Sequence, residues 1–429
     1  MVIIVATVEE IPAMSDSAND DEFLFRETHY ARYGFERTNI YGLATLDSRL
    51  DTYLDRLEEF PSHRYEKLPE ATSAGQAQML ARPVRHFFSA SAAELTAFIS
   101  RDGYWNCLCV GLGLEAGKSE IIAVDVVEDH VDHTAHLLIA VALVEKLETE
   151  GEGSNMSYSL RIYGSDTPAK PYLEQTLFTI QDSCQIIPLS NPPMQISHLK
   201  LAHDGKQQVA FLLASTDGIT HLFVQENQSP RFVEIPSAGH FPMIDRISEL
   251  RIRILFMHVY DRPDGQRIIC AGGQNGEIFL GFYDSDLVTV RTVREDDELH
   301  LVVTCAIEQA IVYRSVDVNG LSESKILPQS SLYDSVLCSH VMDVDWDGER
   351  EILIGTMTHL DLNRDGLDEL IVTTMYGVHI FQPNMKKARE RLLEVLQHVE
   401  GSKRQKYELL LEWQRQKEME KAIVFEGTL

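Results

Sequence analysis

The chain has 429 residues, 44% of them hydrophobic, with 38 basic and 66 acidic residues and a formal net charge of −28. This length and apolar content support a large folded core. The negative balance argues against generic binding to nucleic acid or to an anionic membrane, because both need a basic surface. The longest apolar stretch, residues 137–144, is too short to span a bilayer, and the N-terminus MVIIVATVEE lacks the basic region of a signal peptide. We therefore expect a cytoplasmic protein without direct membrane insertion.

Six cysteines occur at positions 107, 109, 184, 270, 305 and 338, with no CxxC pair. Most lie in apolar, strand-like stretches such as RIICAGG. Since this is the pattern neither of a disulfide framework nor of a CxxC metal site, we expect free, buried thiols in a reducing compartment.

Short β-rich runs dominate the chain from about residue 104. Four share one shape, an apolar run, a turn of small residues and a second run ending in an aromatic residue: FLLASTDGITHLF, IICAGGQNGEIFLGF, VVTCAIEQAIVY and LIVTTMYGVHIF. Asp217-Gly218 and Asn275-Gly276 are typical hairpin turns. Repeated hairpins favour the blades of a β-propeller over the alternative, a β-sandwich or two-sheet protein with unrelated hairpins.

These patterns divide the chain into three parts. Residues 1–36 are acidic and mixed, and we expect them to be poorly ordered. Residues 37–383 are predicted to form the β-propeller. Residues 384–429 are rich in strong helix formers and are predicted to form an amphipathic helical tail.

Two acid loops lie at residues 343–351 and 361–369, where oxygen-bearing side chains alternate and a Gly follows. An EF-hand would need Glu at loop position twelve and then a helix, but those positions hold Ile354 and Val372, each within a β-branched run. Loop followed by strand is the pattern of FG-GAP repeats, in which a cation holds a propeller loop. The alternative is an Asp-rich turn held by its own hydrogen bonds without metal. The candidate ligands of a structural calcium ion are Asp343, Asp345, Asp347, Glu351, Asp361, Asn363, Asp365 and Glu369. No cofactor is required for this interpretation.

Three patterns that suggest an enzyme fail on spacing or context. The glycines at 111, 113 and 117 before Lys118-Ser119 do not have phosphate-loop spacing, and a strand-like run follows them. His130, His133 and His136 are three residues apart, near Glu128, but a solvated polar loop between two strands is the preferred interpretation. No GxSxG motif is present. We therefore expect a non-enzymatic protein.

The tail carries a helical seam with spacings of three and four residues, and ten basic against seven acidic residues between Asn384 and Ile423. The seam either packs on the propeller itself or binds a partner, as a helix or short coiled coil. The candidate partner-binding residues are Met385, Leu392, Val395, Val399, Leu410 and Trp413.

With these features in view, the sequence resembles the kaptin family over roughly residues 120–385. The most specific stretches are QVAFLLASTDGITHLF, AIVYRSVDVNGL, SSLYDSVLCSHVMDVDWDGEREILIGT and HLDLNRDGLDELIV with YGVHIF. The resemblance implies a mainly β fold, a non-catalytic propeller scaffold of the seven-bladed family with a C-terminal helical tail.

The same resemblance implies a function. Kaptin-like proteins are subunits of the KICSTOR complex, which helps recruit the GATOR complex to the lysosome surface and so negatively regulates TOR signalling under amino-acid and glucose shortage. The implied partners are an FG-GAP propeller protein and the other KICSTOR subunits. The alternative is actin-filament binding at the cell periphery, and a propeller-based hydrolase is a minor alternative.

The sequence departs from the family pattern at the acid loops, which start only 18 residues apart, at Asp343 and Asp361. A four-stranded blade needs about 40 residues. A second shortfall precedes the run LHLVVTC. We expect either that internal segments are missing, so that the propeller is incomplete with unpaired edges, or that the propeller is compact.

Overall fold

A computed structural model describes residues 23–32, 41–50, 84–101, 104–131, 134–147, 155–170, 172–203, 206–226, 229–237, 239–261, 266–284, 299–304, 309–327, 330, 339–346, 351–354, 357–360, 367–373 and 377–398, with isolated helical residues from 400 to 407. Within these ranges the strands form seven antiparallel sheets, which follow one another along the chain.

The first three blades, as we call these sheets, each have four strands. Blade 1 contains β2 (Leu43–Ser48), β3 (Val84–Ser91), β4 (Glu94–Arg101) and β5 (Tyr104–Val110). Blade 2 contains β6 (Ser119–Val131), β7 (Thr134–Leu147), β8 (Asn155–Tyr163) and β9 (Cys184–Leu189). Blade 3 contains β10 (Pro193–His203), β11 (Lys206–Ser215), β12 (Thr220–Gln225) and β13 (Phe232–Ile235).

The next three blades are shorter in the described residues. Blade 4 contains β14 (Ile254–Asp261), β15 (Gln266–Gly273) and β16 (Ile278–Asp284). Blade 5 contains β17 (Leu301–Val303), β18 (Ile311–Tyr313) and β19 (Ser324–Ile326). Blade 6 contains only β20 (Ser339–Met342) and β21 (Glu351–Ile354).

Blade 7 joins the two ends of the chain. It contains β22 (Met357–Leu360), β23 (Glu369–Thr373), β24 (Gly377–Pro383) and β1 (Phe25–Arg32). Strand β1 pairs antiparallel with β24, from Phe25 opposite Pro383 to Arg32 opposite Gly377. Because the first strand completes the last sheet, the row of sheets closes into a ring.

Apolar contacts between consecutive sheets form the core. Clusters of buried side chains join blades 1 and 2, blades 2 and 3, blades 3 and 4, and blades 4 and 5. A fifth cluster closes the circle, because Phe87 and Phe98 of blade 1 pack on Ile371, Val378 and Ile380 of blade 7. The first strands of blades 1 to 4 contact one another in order, β2 with β6, β6 with β10 and β10 with β14. Consecutive antiparallel sheets that pack face to face around these first strands form a β-propeller, as the hairpin repeats predicted.

Polar side chains also bridge the blades. Glu128 of blade 2 accepts hydrogen bonds from the Ser48 hydroxyl (2.6 Å) and the Arg49 N–H (3.1 Å) of blade 1, and lies 2.8 Å from the His130 Nε2. Burial alone would raise the pKa of Glu128, but the hydrogen bonds from His130 and Ser48 hold that pKa below its ordinary value. The carboxylate is therefore a structural link between two blades.

Helices are few and short in the described residues. They are α1 (Leu173–Thr179), α2 (Pro242–Glu249), α3 (Val316–Asn319) and the C-terminal helix α4 (residues 385–398). A 3₁₀ turn (Ile180–Asp182) follows α1. None of the described helices has the length and apolar character that a membrane span needs.

Three sequence expectations are corrected by this fold. Residues 25–32 are strand β1, so residues 1–36 are not uniformly disordered, while residues 1–22 and 33–36 lie outside the described ranges. The polar stretch around Glu128 is not a solvated loop, because β6 and β7 continue through Glu128, His130 and His136, and Glu128 is buried. Among the described cysteines only Cys270 is buried.

The exposed cysteines have a simple structural cause. Cys107 and Cys109 lie on β5 and Cys184 lies on β9, and β5 and β9 are the last strands of their sheets. A last strand faces solvent on one side, so apolar character in the sequence did not imply burial. Positions 305 and 338 lie outside the described residues.

The strand boundaries bear out several other predictions. The turns at Asp217-Gly218 and Asn275-Gly276 join β11 to β12 and β15 to β16, and both glycines have positive φ. Strand β6 begins at Ser119, directly after the glycine-rich run, so no helix N-terminus is present there for a phosphate. Blade 1 lies within residues 37–383, which were predicted to form the propeller, but the pairing of β2 with β3 was not predicted, because more than 30 residues without a clear period separate these strands.

Candidate functional site

Helix α4 leaves the propeller directly after β24 of blade 7. Its N-cap is Asn384, whose Oδ1 accepts a hydrogen bond from the Lys386 N–H at 3.2 Å. The Asn384 backbone N–H donates to the Leu24 carbonyl oxygen (2.8 Å), and its Nδ2 donates to the Phe23 carbonyl oxygen (3.2 Å). The start of α4 is thus fixed to the residues that precede β1.

One face of α4 is covered and another is open to solvent. Ala388 is 5% exposed and Val395 is half-buried. Met385, Leu392 and Leu396 are 56%, 57% and 53% exposed and lie at i, i+7 and i+11, on one side of the helix. Leu393 is exposed beside them. We call these four residues the leucine stripe.

The structure shows where three of the six candidate tail residues lie, and their role in partner binding stays a prediction. Met385 and Leu392 belong to the leucine stripe, whereas Val395 lies on the covered side with Ala388. Leu393 and Leu396 were not among the candidates, because the sequence prediction followed apolar residues spaced three and four apart. That spacing does not tell which side of the helix faces solvent. Val399, Leu410 and Trp413 lie outside the described residues.

The polar surroundings of the leucine stripe are mixed and partly basic. Lys386 and Arg389 are exposed near the start of α4. Arg391 pairs with Glu394 at 3.1 Å, and Arg404 pairs with Glu400 at 2.6 Å. Such i,i+3 and i,i+4 pairs support an exposed helix by a few tenths of a kcal/mol each, about 0.2–0.5 kcal/mol.

The first acid loop is the hairpin connection between β20 and β21. Asp343 and Asp345 are half-buried, and Trp346 has a φ of +59°, which makes a tight turn. The Trp346 ring lies 5.7 Å from the ring of Phe25 in β1, so this loop touches blade 7. Glu351 is the first residue of β21, and Asp347 lies outside the described residues.

The second acid loop connects β22 to β23. Glu369 is the first residue of β23 and its side chain is fully buried. Asp361, Asn363 and Asp365 lie outside the described residues. A strand follows each loop, as predicted, so the EF-hand is excluded for both.

The described residues fit a hard cation only in part. Half-buried carboxylates in a tight turn and a buried glutamate at the strand start are the oxygen donors that calcium takes. Within the described ranges, however, no three His, Cys, Asp or Glu side chains lie together as a metal-binding group. The calcium assignment accordingly remains a proposal.

Fold and surface together define a β-propeller protein that carries an exposed apolar helix. The family profile described as "KICSTOR complex protein kaptin" matches residues 116–293 and 282–360, which is more than half of the chain. The chain belongs to this family. The mouse KICSTOR complex protein kaptin is 28% identical over 315 residues, covering 59% of this chain and 72% of the mouse protein.

A solved structure also shows some similarity. It is BBS1N in complex with ARL6DN, soaked with lead, at a TM-score of 0.28 and 12% identity, covering 59% of this chain and 89% of that chain. A similarity of that size adds nothing to the fold described above.

Proposed function

We propose that this protein is a non-catalytic scaffold subunit of a KICSTOR complex and that the leucine stripe of α4 is one of its partner contacts. Membership of the kaptin family supports the assembly, because the family is described as a KICSTOR complex protein. The partners are the other KICSTOR subunits, among them an FG-GAP propeller protein.

The exposure of the leucine stripe is the observation that carries the partner contact. Met385, Leu392 and Leu396 each leave more than half of their surface in water, although they share one side of a helix. Burying a Leu or Met side chain stabilises a contact by about 1.5–3 kcal/mol. An exposed apolar row on a fixed helix is the form in which helix-in-groove partners are recognised.

We extend the proposal to the cellular role that the family resemblance implies. In this role the assembled complex holds the GATOR complex at the lysosome surface, and TOR signalling falls when amino acids or glucose are short. The propeller contributes surfaces to the assembly and performs no chemistry of its own.

Affinity capture of the tagged full-length chain from its own cells, followed by mass spectrometry, tests the assembly. We expect the other KICSTOR subunits to be recovered. The paired change Leu392→Lys and Leu396→Lys should lower their recovery at least tenfold, because two charges enter the apolar contact.

The matched control is Phe178→Lys, which places the same charge on an exposed apolar position of helix α1 in blade 2. It should leave recovery unchanged. Wild-type capture without any KICSTOR subunit would contradict the assembly itself. Equal recovery with the stripe variant and with Phe178→Lys would contradict the role of the leucine stripe only.

Actin binding is the second candidate, favoured by the exposed Lys386 and Arg389 at the start of α4 on an otherwise acidic chain. Actin filaments are acidic, so a basic helix is the expected contact. The test is filament co-sedimentation of the purified chain at low and high salt. Pelleting that Lys386→Glu and Arg389→Glu abolish together would support this role, and no pelleting at low salt would remove it.

A further inference from the structure

Blade 6 is cut short by its connection to blade 7. Strand β21 ends at Ile354 and β22 begins at Met357, so two residues separate them. Two residues cannot form another strand, whereas blades 1, 2 and 3 each continue to a third and a fourth strand. Among the described residues, β21 pairs with β20 and with no other strand. Within the part of the chain that the structure describes, the backbone N–H and C=O groups of its second edge therefore have no strand partner.

The side chains on the two faces of blade 7 differ in burial, as expected if the neighbouring blade 6 is shorter than blade 1. On the face toward blade 1, Ile371, Val378 and Ile380 are buried against Phe87 and Phe98. Side chains alternate along a strand, so the intervening residues of β23 and β24 point to the opposite face, toward blade 6. They are only half-buried there, namely Leu370, Val372, His379 and Phe381.

Aromatic rings form a row on this second face. Tyr30 of β1 lies opposite His379 of β24, with ring centroids 4.6 Å apart, and is 49% exposed. His379 lies 6.3 Å from Phe381 in the same row. Glu27 of β1 lies opposite Phe381 on this face, and its carboxylate lies 2.9 Å from the His379 Nδ1. Phe25, two residues before Glu27, packs against Trp346 of blade 6, with ring centroids 5.7 Å apart. The row therefore runs along the side of blade 7 that faces blade 6, where the described residues hold no third or fourth strand, and we call it the aromatic wall.

An open strand edge beside an aromatic wall is a recognised form of peptide-binding site. Backbone groups of the edge supply hydrogen bonds, and the wall accepts the side chains of one face of the added strand. The wall is also continuous with the proposed helix contact, since Asn384 at the start of α4 is hydrogen bonded to Phe23 and Leu24, next to Phe25. One partner can thus reach both surfaces.

From this geometry we infer that a KICSTOR partner adds an extended segment to β21 and completes blade 6. The segment carries β-branched or aromatic residues at alternate positions, which pack on Tyr30, His379 and Phe381. This inference rests on the proposed function, because it assigns a second contact to the same assembly. It also explains how a blade with two strands is tolerated in the ring.

Amide hydrogen exchange on the full-length chain, alone and in the complex reconstituted with the other KICSTOR subunits, tests the inference. We expect the amides of residues 351–354 to exchange at least tenfold more slowly in the complex. Tyr30→Lys should weaken assembly at least tenfold, since it places a charge in the aromatic wall. The control is Ile186→Lys, the same change at an exposed position on β9 of blade 2, which should have no effect.

Two results would overturn the inference while leaving the proposed function intact. In one, the complex forms but residues 351–354 exchange equally fast in both states, and Tyr30→Lys assembles like Ile186→Lys. In the other, these amides are already protected in the isolated chain and lose protection when residues 2–8 (VIIVATV) are deleted, which would make the chain itself the occupant. If the chain assembles with no KICSTOR subunit, both proposals are overturned. If only the leucine-stripe variant loses assembly and Tyr30→Lys does not, the result supports the helix contact and contradicts the added strand.

Discussion

Gln195 of blade 3 makes two hydrogen bonds with the backbone of Met257 in blade 4. The Met257 N–H donates to the Gln195 Oε1 at 2.6 Å, and the Gln195 Nε2 donates to the Met257 carbonyl oxygen at 2.8 Å. Gln185 of blade 2 makes the same pair of bonds with Phe232 of blade 3, at 2.7 Å each. At two consecutive blade interfaces, a glutamine amide thus makes the pair of N–H and C=O hydrogen bonds that a neighbouring strand would make. These bonds hold one sheet against the next.

Removal of this link should destabilise the propeller. Gln195→Leu keeps the size of the side chain but leaves the buried N–H and C=O of Met257 without these partners, which costs about 1–3 kcal/mol. Urea unfolding measures the change. Gln207→Leu, at an exposed position on neighbouring β11, is the control and should change stability by less than about 0.5 kcal/mol. Equal effects of the two changes would contradict a structural role for the Gln195 amide.

His198 and Asp125 should make the stability of the blade 2–blade 3 interface depend on pH. The His198 Nδ1 lies 2.9 Å from the Asp125 carboxylate. Burial alone would lower the pKa of His198, but the charge and hydrogen bond of Asp125 raise it above its ordinary value, with Lys200 opposing and Asp261 assisting.

The sign of the pH effect follows from that raised pKa. The stabilising pair is fully present below the ordinary His pKa of about 6.5 and is lost as the pH rises through the higher pKa of the folded state. We expect a loss of at most about 1 kcal/mol, because solvent reaches the His198 ring. Thermal unfolding between mildly acidic and mildly alkaline pH measures it. Asp125→Asn and His198→Gln should both flatten the curve in this range, and an unchanged slope in both would refute the assignment.

Gly164 and Gly276 provide a matched pair for testing a close approach of two backbone segments. Both have a φ of +82°. A Cβ added at Gly164 would lie 2.0 Å from the Leu137 carbonyl oxygen, while a Cβ added at Gly276 would meet no atom within 4 Å. Gly276→Ala should cost about 1 kcal/mol, the price of the left-handed backbone. Gly164→Ala should cost about 2–4 kcal/mol more, because Leu137 must move. Equal melting temperatures of the two variants would show that the contact with Leu137 is not kept in solution.

Calcium binding by the acid loops would shift stability by mass action. At a calcium concentration about a hundred times Kd, the gain is about 2.7 kcal/mol, with no activity created. We expect a higher melting temperature in excess calcium than in chelator for the wild type. Glu369→Gln should remove most of that difference, whereas Asp182→Asn, at an exposed acid outside the loops, should retain it. Identical melting curves of the wild type in calcium and in chelator would eliminate the metal.

Local sequence patterns alone were enough to predict the hairpins, the strands after both acid loops and the helix after Asn384. Asp217-Gly218 and Asn275-Gly276 select tight turns by their own backbone preferences, and β-branched runs pair with their immediate neighbours in the chain. The short spacing between Asp343 and Asp361 likewise indicated a shortened blade. In the structure only two residues separate β21 from β22, which agrees with that expectation.

Only the tertiary structure decided which surfaces are open. The pairing of β1 with β24 joins residues about 350 positions apart, and no local pattern marks Phe25–Arg32 as the last strand of a sheet. That pairing fixes Asn384 beside Leu24 and so determines that Leu396 faces solvent while Ala388 is covered. The aromatic wall arises in the same way, because Tyr30 and His379 meet only after the ring closes. Alternation along a strand and heptad spacing along a helix specify which residues share a side, but contacts between distant segments determine which side is buried.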